Sequence, residues 1–198
     1  MRPSRKPFTW PSPETLAILL AAVLLSTFMA PRAANPEKLP EPSRLKAVQI
    51  LILPGPDETG ARLHLRKLRD AGFDTIILRA FHLAGDRPHP QAASAVTAAT
   101  EGVYFPTGRA PVVMDLVTPF VRICREEGLR PFAWMVTRRA RFGNPNLSRD
   151  RVYSGTGDPI VPTEELDILD PASRDYLAGL FQDLAATGVE GILLQDEL

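Results

Sequence analysis

The chain alternates between apolar runs and amphipathic stretches, and this alternation restricts its fold more than any other feature. Four continuously apolar runs are typical of strands that are buried on both faces. In chain order the four runs begin at Ala47 ("AVQILIL"), Phe73 ("FDTIILRAF"), Arg130 ("RPFAWMV") and Val189 ("VEGILLQDE"). The three stretches between them carry apolar residues at helical spacing. The order βαβαβαβ therefore predicts parallel strands that are joined by right-handed helical crossovers.

The predicted helices have recognisable ends. Asp170 stands directly before Pro171, and this pair is typical of an N-cap followed by the first helical residue. Glycines that can end a helix follow all three stretches, at Gly72, Gly128 and Gly188. The long polar segments after the second and third strands are too long for plain connections, which predicts functional loops.

Two architectures fit this order, an open doubly wound sheet and a (β/α)8 barrel. No G-x-G-x-x-G or P-loop motif follows any strand, which disfavours a nucleotide-binding open sheet. Polar and aromatic residues gather after the carboxyl ends of the strands, where barrel enzymes place their chemistry. A whole barrel needs about 250 residues, whereas residues 46–198 form the α/β part here. We therefore predict the amino-terminal half of a TIM-type (β/α)8 barrel.

The first residues differ from the rest of the chain. Arg2, Arg5 and Lys6 precede an uncharged apolar segment, Thr15 to Pro31. This pattern predicts that residues 1–34 are a signal peptide or a membrane anchor. The anchor is slightly favoured, because no plausible cleavage point has a small residue three positions before it. Residues 35–45 then form a proline-rich linker, and the remainder is expected to be exported, in the periplasm or at the inner membrane.

Composition excludes several function classes. The chain has 23 basic and 23 acidic residues, so no global charge attracts nucleic acid. Cys124 is the only cysteine and lies in an apolar helical pattern, which indicates an inert packed thiol. The three histidines show no metal-ligand spacing, so we expect neither a metal nor a cofactor.

Three stretches resemble a known family. They are "VYFPTGRAPVVMDLVTPFVRICREEGLRPFAWMV", "LDILDPASRDYLAGLFQDLA" and "VEGILLQDE". In order and spacing they resemble the glycoside-hydrolase-like barrel of the PgaB family, and also the broader family-10-like glycosyl hydrolase group. PgaB proteins are exported bacterial proteins that act on poly-β-1,6-N-acetylglucosamine. The resemblance implies a glycan-cleaving barrel whose fourth strand ends in acids.

Carried over to this sequence, the family's H-D-D triplet falls on Gln195, Asp196 and Glu197. The resemblance implies that Asp196 takes part in hydrolysis, with Glu197 in place of the second Asp and Gln195 in place of the His. Neighbouring strand residues point to opposite faces, so the two acids cannot flank one glycosidic bond. We therefore expect Asp196 to face the barrel mouth and a second carboxylate to come from elsewhere.

Further residues are candidates for substrate binding. Trp134 and Tyr104 could stack on sugar rings, and the alternative for Trp134 is a place in the core. Arg79 and His82 end the second strand, where the barrel mouth would lie, and a loop-anchoring hydrogen bond is the alternative for His82. Gln195 completes the set.

The sequence leaves two functions open. The first is an exported glycoside hydrolase acting on an envelope or biofilm polysaccharide such as poly-β-1,6-N-acetylglucosamine. The second is a non-catalytic glycan-binding or envelope-organising protein. We expect the chain alone to be inactive, because it supplies one usable acid, and to self-associate through exposed barrel edges. The last residues, "QDEL", also match a retrieval tag, but the apolar "GILL" before them belongs in a core.

Overall fold

The computed structural model describes residues 45–153, 155–156 and 159–195. The predicted signal or anchor segment, residues 1–34, lies outside this range, as do Asp196 and Glu197. Among the described residues no helix is both long and apolar enough to cross a membrane.

The described elements alternate between strands and helices, as the apolar runs predict. In chain order they are β1 (Ala47–Ile50), α1 (Glu58–Asp70), β2 (Thr75–Arg79), β3 (Phe81–His82), a 3₁₀ helix (Pro90–Ala95), β4 (Gly102–Val103), α2 (Val117–Glu126), β5 (Arg130–Met135), β6 (Arg149–Tyr153), β7 (Pro159–Leu166), α3 (Pro171–Ala186) and β8 (Gly191–Leu194).

One parallel sheet forms the centre of the fold. Its strand order is β1-β2-β5-β8, which is also the order along the chain. A doubly wound sheet reverses its strand order at a switch point, and this sheet does not. Sequential parallel strands with a helix between each pair are the arrangement of part of a (β/α)8 barrel. The predicted parallel α/β fold is confirmed.

The two faces of the sheet differ in burial. The side chains of Ile76, Leu78 and Met135 are fully buried on the face that the helices cover. On the other face Ile77 and Phe132 are only half-buried. The side chain of Gln49 donates a hydrogen bond of 3.2 Å to that of Gln195, across two intervening strands. Side chains from the two outer strands can meet only if the sheet curves, so this second face is concave.

The helix ends agree with the sequence signals. Asp170 caps α3, and its carboxylate accepts from the Ser173 amide at 3.2 Å. Asp57 caps α1 in the same way, accepting from the Gly60 amide at 2.9 Å. Gly128 follows α2 with a φ of 72°, a conformation in which other residues are strained.

Two features differ from the sequence prediction. Strand β1 ends at Ile50 rather than at Leu53, because Leu51 turns out of the sheet and is 52% exposed. Both long loops also contain antiparallel strand pairs, β3 with β4 and β6 with β7. These pairs hold the loops against the carboxyl end of the sheet.

Candidate functional site

The carboxyl ends of the four parallel strands place an arginine and a tryptophan side by side. Arg79 of β2 is in register with Trp134 of β5, and Trp134 is in register with Leu193 of β8. The indole Nε1 of Trp134 donates to the Gln195 carbonyl at 3.2 Å. The Phe81 ring meets the Trp134 ring edge-on, with 5.0 Å between centroids. The concave face therefore ends in a fixed aromatic and cationic pair.

Arg79 is almost fully buried, and two of its three guanidinium nitrogens donate hydrogen bonds. Its Nη1 donates to Asp86 Oδ2 at 3.1 Å, and its Nη2 donates to the Arg87 carbonyl at 2.6 Å. The same Asp86 oxygen accepts from the Leu83 amide at 3.1 Å. The Nε of Arg79 has no hydrogen-bond partner in the described part of the chain. This guanidinium thus anchors the loop after β2 and keeps one donor unused.

His82 and Tyr104, which the sequence predicts to bind substrate, lie buried beneath the loop after β2. Both side chains are 0% exposed, and the Tyr104 hydroxyl lies 2.9 Å from His82 Nδ1. The Tyr104 amide donates to the Ala80 carbonyl at 2.9 Å, which draws the following segment under the loop. Neither residue can touch a glycan in this structure, because the β3–β4 pair encloses them. Their hydrogen bond supports the loop from beneath, which agrees with the alternative given for His82.

Two adjoining cavities lie above the strand ends. The first has a volume of about 60 Å³ and is lined by Leu51, Arg79, Phe81, Leu83, Asp86, Trp134, Val136 and Arg139. The second has a volume of about 120 Å³ and is lined by Leu83, Glu101, Arg139, Arg141, Phe142, Gly143, Glu164 and Glu165. Leu83 and Arg139 line both cavities, so the two cavities are neighbours, and together they are called the cleft below.

The acids of the second cavity were missed by the sequence analysis. Glu164 pairs with Arg141 at 2.8 Å, and Glu165 pairs with Arg138 at 2.6 Å. Glu101 makes no hydrogen bond or ion pair with another residue within the described ranges, 45–153, 155–156 and 159–195. All three lie in long polar loops without periodicity, so no sequence signal could bring them together.

The predicted catalytic acids stay predictions, since Asp196 and Glu197 lie outside the described residues. The residue before them is described: Gln195 is exposed, and its carbonyl and side chain bond Trp134 and Gln49. Cys124 is buried, and burial raises the pKa of its thiol to about 12, which makes it a poor nucleophile. In the described part of the chain no group of three or more His, Cys, Asp or Glu side chains could hold a metal ion.

No family model and no curated protein sequence matches the chain. Solved structures do share its fold. The glycoside hydrolase domain of PgaB (BpsB) from Bordetella bronchiseptica matches 77% of this chain with a TM-score of 0.51 and 20% identity. Alpha-L-fucosidase isoenzyme 2 from Paenibacillus thiaminolyticus matches 78% of it with a TM-score of 0.51 and 14% identity.

The matches cover only part of each relative. The chain spans 44% of the PgaB domain and 24% of the fucosidase. At these identities the likeness concerns the fold, and the parallel α/β sheet is consistent with part of the barrel that the sequence resemblance implies. The described part of the chain therefore shares the fold of part of a TIM-type glycosidase barrel, with the glycoside hydrolase domain of PgaB among its structural neighbours.

Proposed function

We propose that the chain is a glycoside hydrolase-like protein that binds a polysaccharide in the cleft above its strand ends. The observation that carries this proposal is the in-register pair Arg79 and Trp134, which lines the first cavity at the carboxyl end of a parallel sheet. Barrel enzymes bind their substrates at this end. An aromatic face beside a charged donor suits a sugar, which has an apolar ring face and hydroxyl edges.

The size of the first cavity indicates how a sugar would sit. A volume of about 60 Å³ equals roughly two water molecules in the liquid. A hydroxyl or acyl substituent fits this space, but a pyranose ring does not. The ring would therefore lie at the mouth, beside the exposed Leu51 and the edge of Trp134. One substituent would reach the unused Nε of Arg79.

For the chemistry we propose Asp196, with Glu197 beside it. Asp196 follows Gln195 in the sequence, and the Gln195 carbonyl accepts a hydrogen bond from Trp134. Asp196 would protonate the glycosidic oxygen as the bond to C1 breaks, or support the positive charge that develops on the sugar. We do not assign Asp86 as the second carboxylate of the reaction. It lines the first cavity, but it is already paired with Arg79.

As the substrate we propose an envelope or biofilm polysaccharide, with poly-β-1,6-N-acetylglucosamine as the specific candidate. This choice rests on the motifs shared with the PgaB family and on the fold shared with the PgaB domain. An exported polysaccharide needs an exported enzyme. The basic residues followed by the apolar segment Thr15–Pro31 support that location.

A second candidate is a non-catalytic glycan-binding protein. The ion pair of Asp86 with Arg79 favours this candidate. Asp86 is the acid that lines the first cavity, and its pairing fixes the loop after β2 and leaves it less suited to catalysis. This candidate uses the same cleft and the same Trp134 contact. It differs only in leaving the glycan intact.

One experiment separates these functions. The chain has two tryptophans, so Trp10→Phe leaves Trp134 as the only indole reporter. Titration of this variant with a β-1,6-linked N-acetylglucosamine oligomer should change its fluorescence, and a release of reducing ends would identify the hydrolase.

Asp196→Asn is the catalytic control. Cleavage that disappears in this variant while binding remains supports the hydrolase, and binding without cleavage supports the second candidate. If neither the fluorescence nor calorimetry detects binding of any β-linked oligosaccharide, the proposed function is wrong.

A further inference from the structure

The second cavity contains a buried donor that nothing in the described chain uses. Arg141 is 5% exposed, its Nη1 donates to the Asn144 carbonyl at 2.7 Å and its Nη2 to Glu164 Oε2 at 2.8 Å. Its Nε has no partner among the residues that the structure describes. A buried N–H without a partner is unfavourable, so such a group indicates a missing ligand atom or water.

The same cavity contains an acceptor in a comparable situation. Glu101 is partly exposed, and no hydrogen bond or ion pair to another described residue engages its carboxylate. Gly143 lies next to this carboxylate, since an added Cβ at Gly143 would be 3.9 Å from Glu101 Oε2. Gly143 has a φ of 69°, a conformation that glycine adopts without strain. The turn at Gly143 thus brings a residue without a side chain next to the carboxylate.

These two groups select the chemistry of a ligand. A carboxylate ligand only accepts hydrogen bonds, so it could bond Arg141 but would face Glu101 with like charge. An ammonium group only donates, so it could pair with Glu101 but leaves Arg141 Nε unused. A hydroxyl both donates and accepts, so a ligand that carries hydroxyls has the chemistry to bond both residues. The cavity volume of about 120 Å³ accepts roughly four water molecules, enough for the hydroxyl-bearing edge of a ring.

We propose that the cavity around Glu101 and Arg141 is a second sugar-binding subsite, which takes a hydroxyl edge of the sugar next to the one at Trp134. This inference rests on the proposed function, because it assigns a neighbouring position on the same glycan. The two cavities share Leu83 and Arg139, so adjacent sugars of one chain can occupy both. Beyond Phe142 and Gly143 an open groove of about 320 Å³ continues the cleft.

The test is calorimetric titration with two probes, a β-1,6-linked N-acetylglucosamine oligomer and the N-acetylglucosamine monosaccharide. Glu101→Ala should weaken binding of the oligomer about tenfold, which corresponds to one lost hydrogen bond to a charged group. Binding of the monosaccharide at Trp134 should not change. Glu101→Gln keeps an acceptor oxygen and should lose less affinity than Glu101→Ala.

The matched control is Asp175→Ala. Asp175 is an exposed acid of α3 that, like Glu101, makes no hydrogen bond or ion pair with another described residue. It does not line either cavity, so its removal should leave both affinities unchanged. The melting temperature of Glu101→Ala should equal that of the wild type, because the residue holds no other described group.

The outcomes are distinct. If the oligomer binds in a manner that depends on Trp134 but Glu101→Ala binds it as tightly as the wild type, the second subsite is wrong and the proposed function stands. If the oligomer and the monosaccharide both fail to bind the wild type, the proposed function is wrong and the subsite falls with it. A loss of oligomer affinity in Asp175→Ala equal to that in Glu101→Ala would also overturn the subsite.

Discussion

His89 links the segment after β1 to the carboxyl end of β2. His89 is 0% exposed; its Nδ1 accepts from the Leu53 amide at 2.9 Å, and its Nε2 lies 3.2 Å from the Arg79 carbonyl. Accepting at Nδ1 and donating at Nε2 is possible only for the neutral ring. Burial, and next the nearby charge of Arg79, lowers the pKa of His89 from 6.5 to about 4.

We predict that this histidine makes the fold acid-sensitive. Because the pKa of His89 is lower in the folded state than in the unfolded chain, its contribution to stability is complete above pH 6.5 and is lost as the pH falls to about 4. The loss amounts to at most about 3 kcal/mol. Urea unfolding at several pH values should show this slope. The slope should be much smaller in His89→Leu and should persist in His64→Gln, and an unchanged slope in His89→Leu would contradict the assignment.

A buried glutamate joins α1 to the end of α2. The carboxylate of Glu127, whose side chain is 4% exposed, bonds Arg62 at 2.9 Å, Arg66 at 2.9 Å and Arg69 at 3.1 Å. The hydrogen bonds from Arg66 and then from Arg62 lower the pKa of this carboxyl from 4.5 to about 2. Its contribution to stability is therefore present above pH 4.5 and is lost as the pH falls towards 2.

We predict that Glu127→Gln lowers the melting temperature at neutral pH, because three guanidinium groups lose the buried carboxylate that they share. Arg66 then has no ion-pair partner among the described residues, and Arg62 and Arg69 keep only the exposed Glu126 and Asp70. The difference from the wild type should shrink as the pH falls from 4.5 to about 2, where the wild-type carboxyl is also protonated. Glu126→Gln is the control, since Glu126 is next in sequence but 43% exposed, and it should have a smaller effect. Thermal unfolding followed by circular dichroism measures the melting temperatures of both variants at each pH. Equal effects of the two variants would refute the central role of Glu127.

At the scale of single residues, the sequence predicted which residues lie near the strand ends but not which of them are buried. The arginine and tryptophan at the strand ends were identified because polar residues follow apolar strands there. The sequence did not predict the burial of His82 and Tyr104, because this burial depends on the β3–β4 pairing, and strands of two residues have no clear sequence signal. Glu101 and Arg141 are 40 positions apart in sequence and meet only through loop folding.

At the scale of elements, the parallel strands and the helices between them were predicted, whereas the antiparallel pairs were not. Continuous apolar runs predict β1, β2, β5 and β8. One face of this sheet packs against the helices, and the other lies on the concave side, so neither face favours regularly spaced polar residues. Strands β6 ("RDRVY") and β7 ("PIVPTEEL") carry charges and prolines instead. Their pairing is supported by ion pairs such as Arg149 with Glu164 at 2.9 Å, which have no periodic signature.

Packing between two strands gives a prediction at this scale. Gly191 of β8 is in register with Phe132 of β5, and a Cβ added at Gly191 would overlap the Phe132 ring. We predict that Gly191→Ala costs about 1–3 kcal/mol of unfolding free energy, because the ring must move or the strands must separate. Denaturant titration measures this cost.

The control is Gly108→Ala, since an added Cβ at Gly108 has no atom within 4 Å. It should change the unfolding free energy little. In the Phe132→Leu background the effect of Gly191→Ala should shrink, because the smaller side chain leaves room. An effect of the same size in both backgrounds would show that the ring is not the cause.

At the scale of the whole molecule, no described strand pairs with the outer edges of β1 and β8. Strands β1 and β8 each hydrogen-bond to one neighbour among the strands that the structure describes. Neither strand contains a proline or a charge, the usual protection of an exposed edge. Leu51, which follows β1, and Leu194, which lies in β8, are each 52% exposed.

We therefore predict that the chain self-associates at micromolar concentration, as a dimer that pairs these edges or as larger aggregates. Unpaired N–H and C=O groups beside exposed leucines favour pairing with another strand. Sedimentation velocity should show association that weakens in the double variant Leu51→Lys with Leu194→Lys. Leu63→Lys is the matched control, because Leu63 is 55% exposed on α1, away from both strands, and it should leave association unchanged. A monodisperse monomer that unfolds cooperatively would show instead that the curved four-stranded sheet is stable by itself.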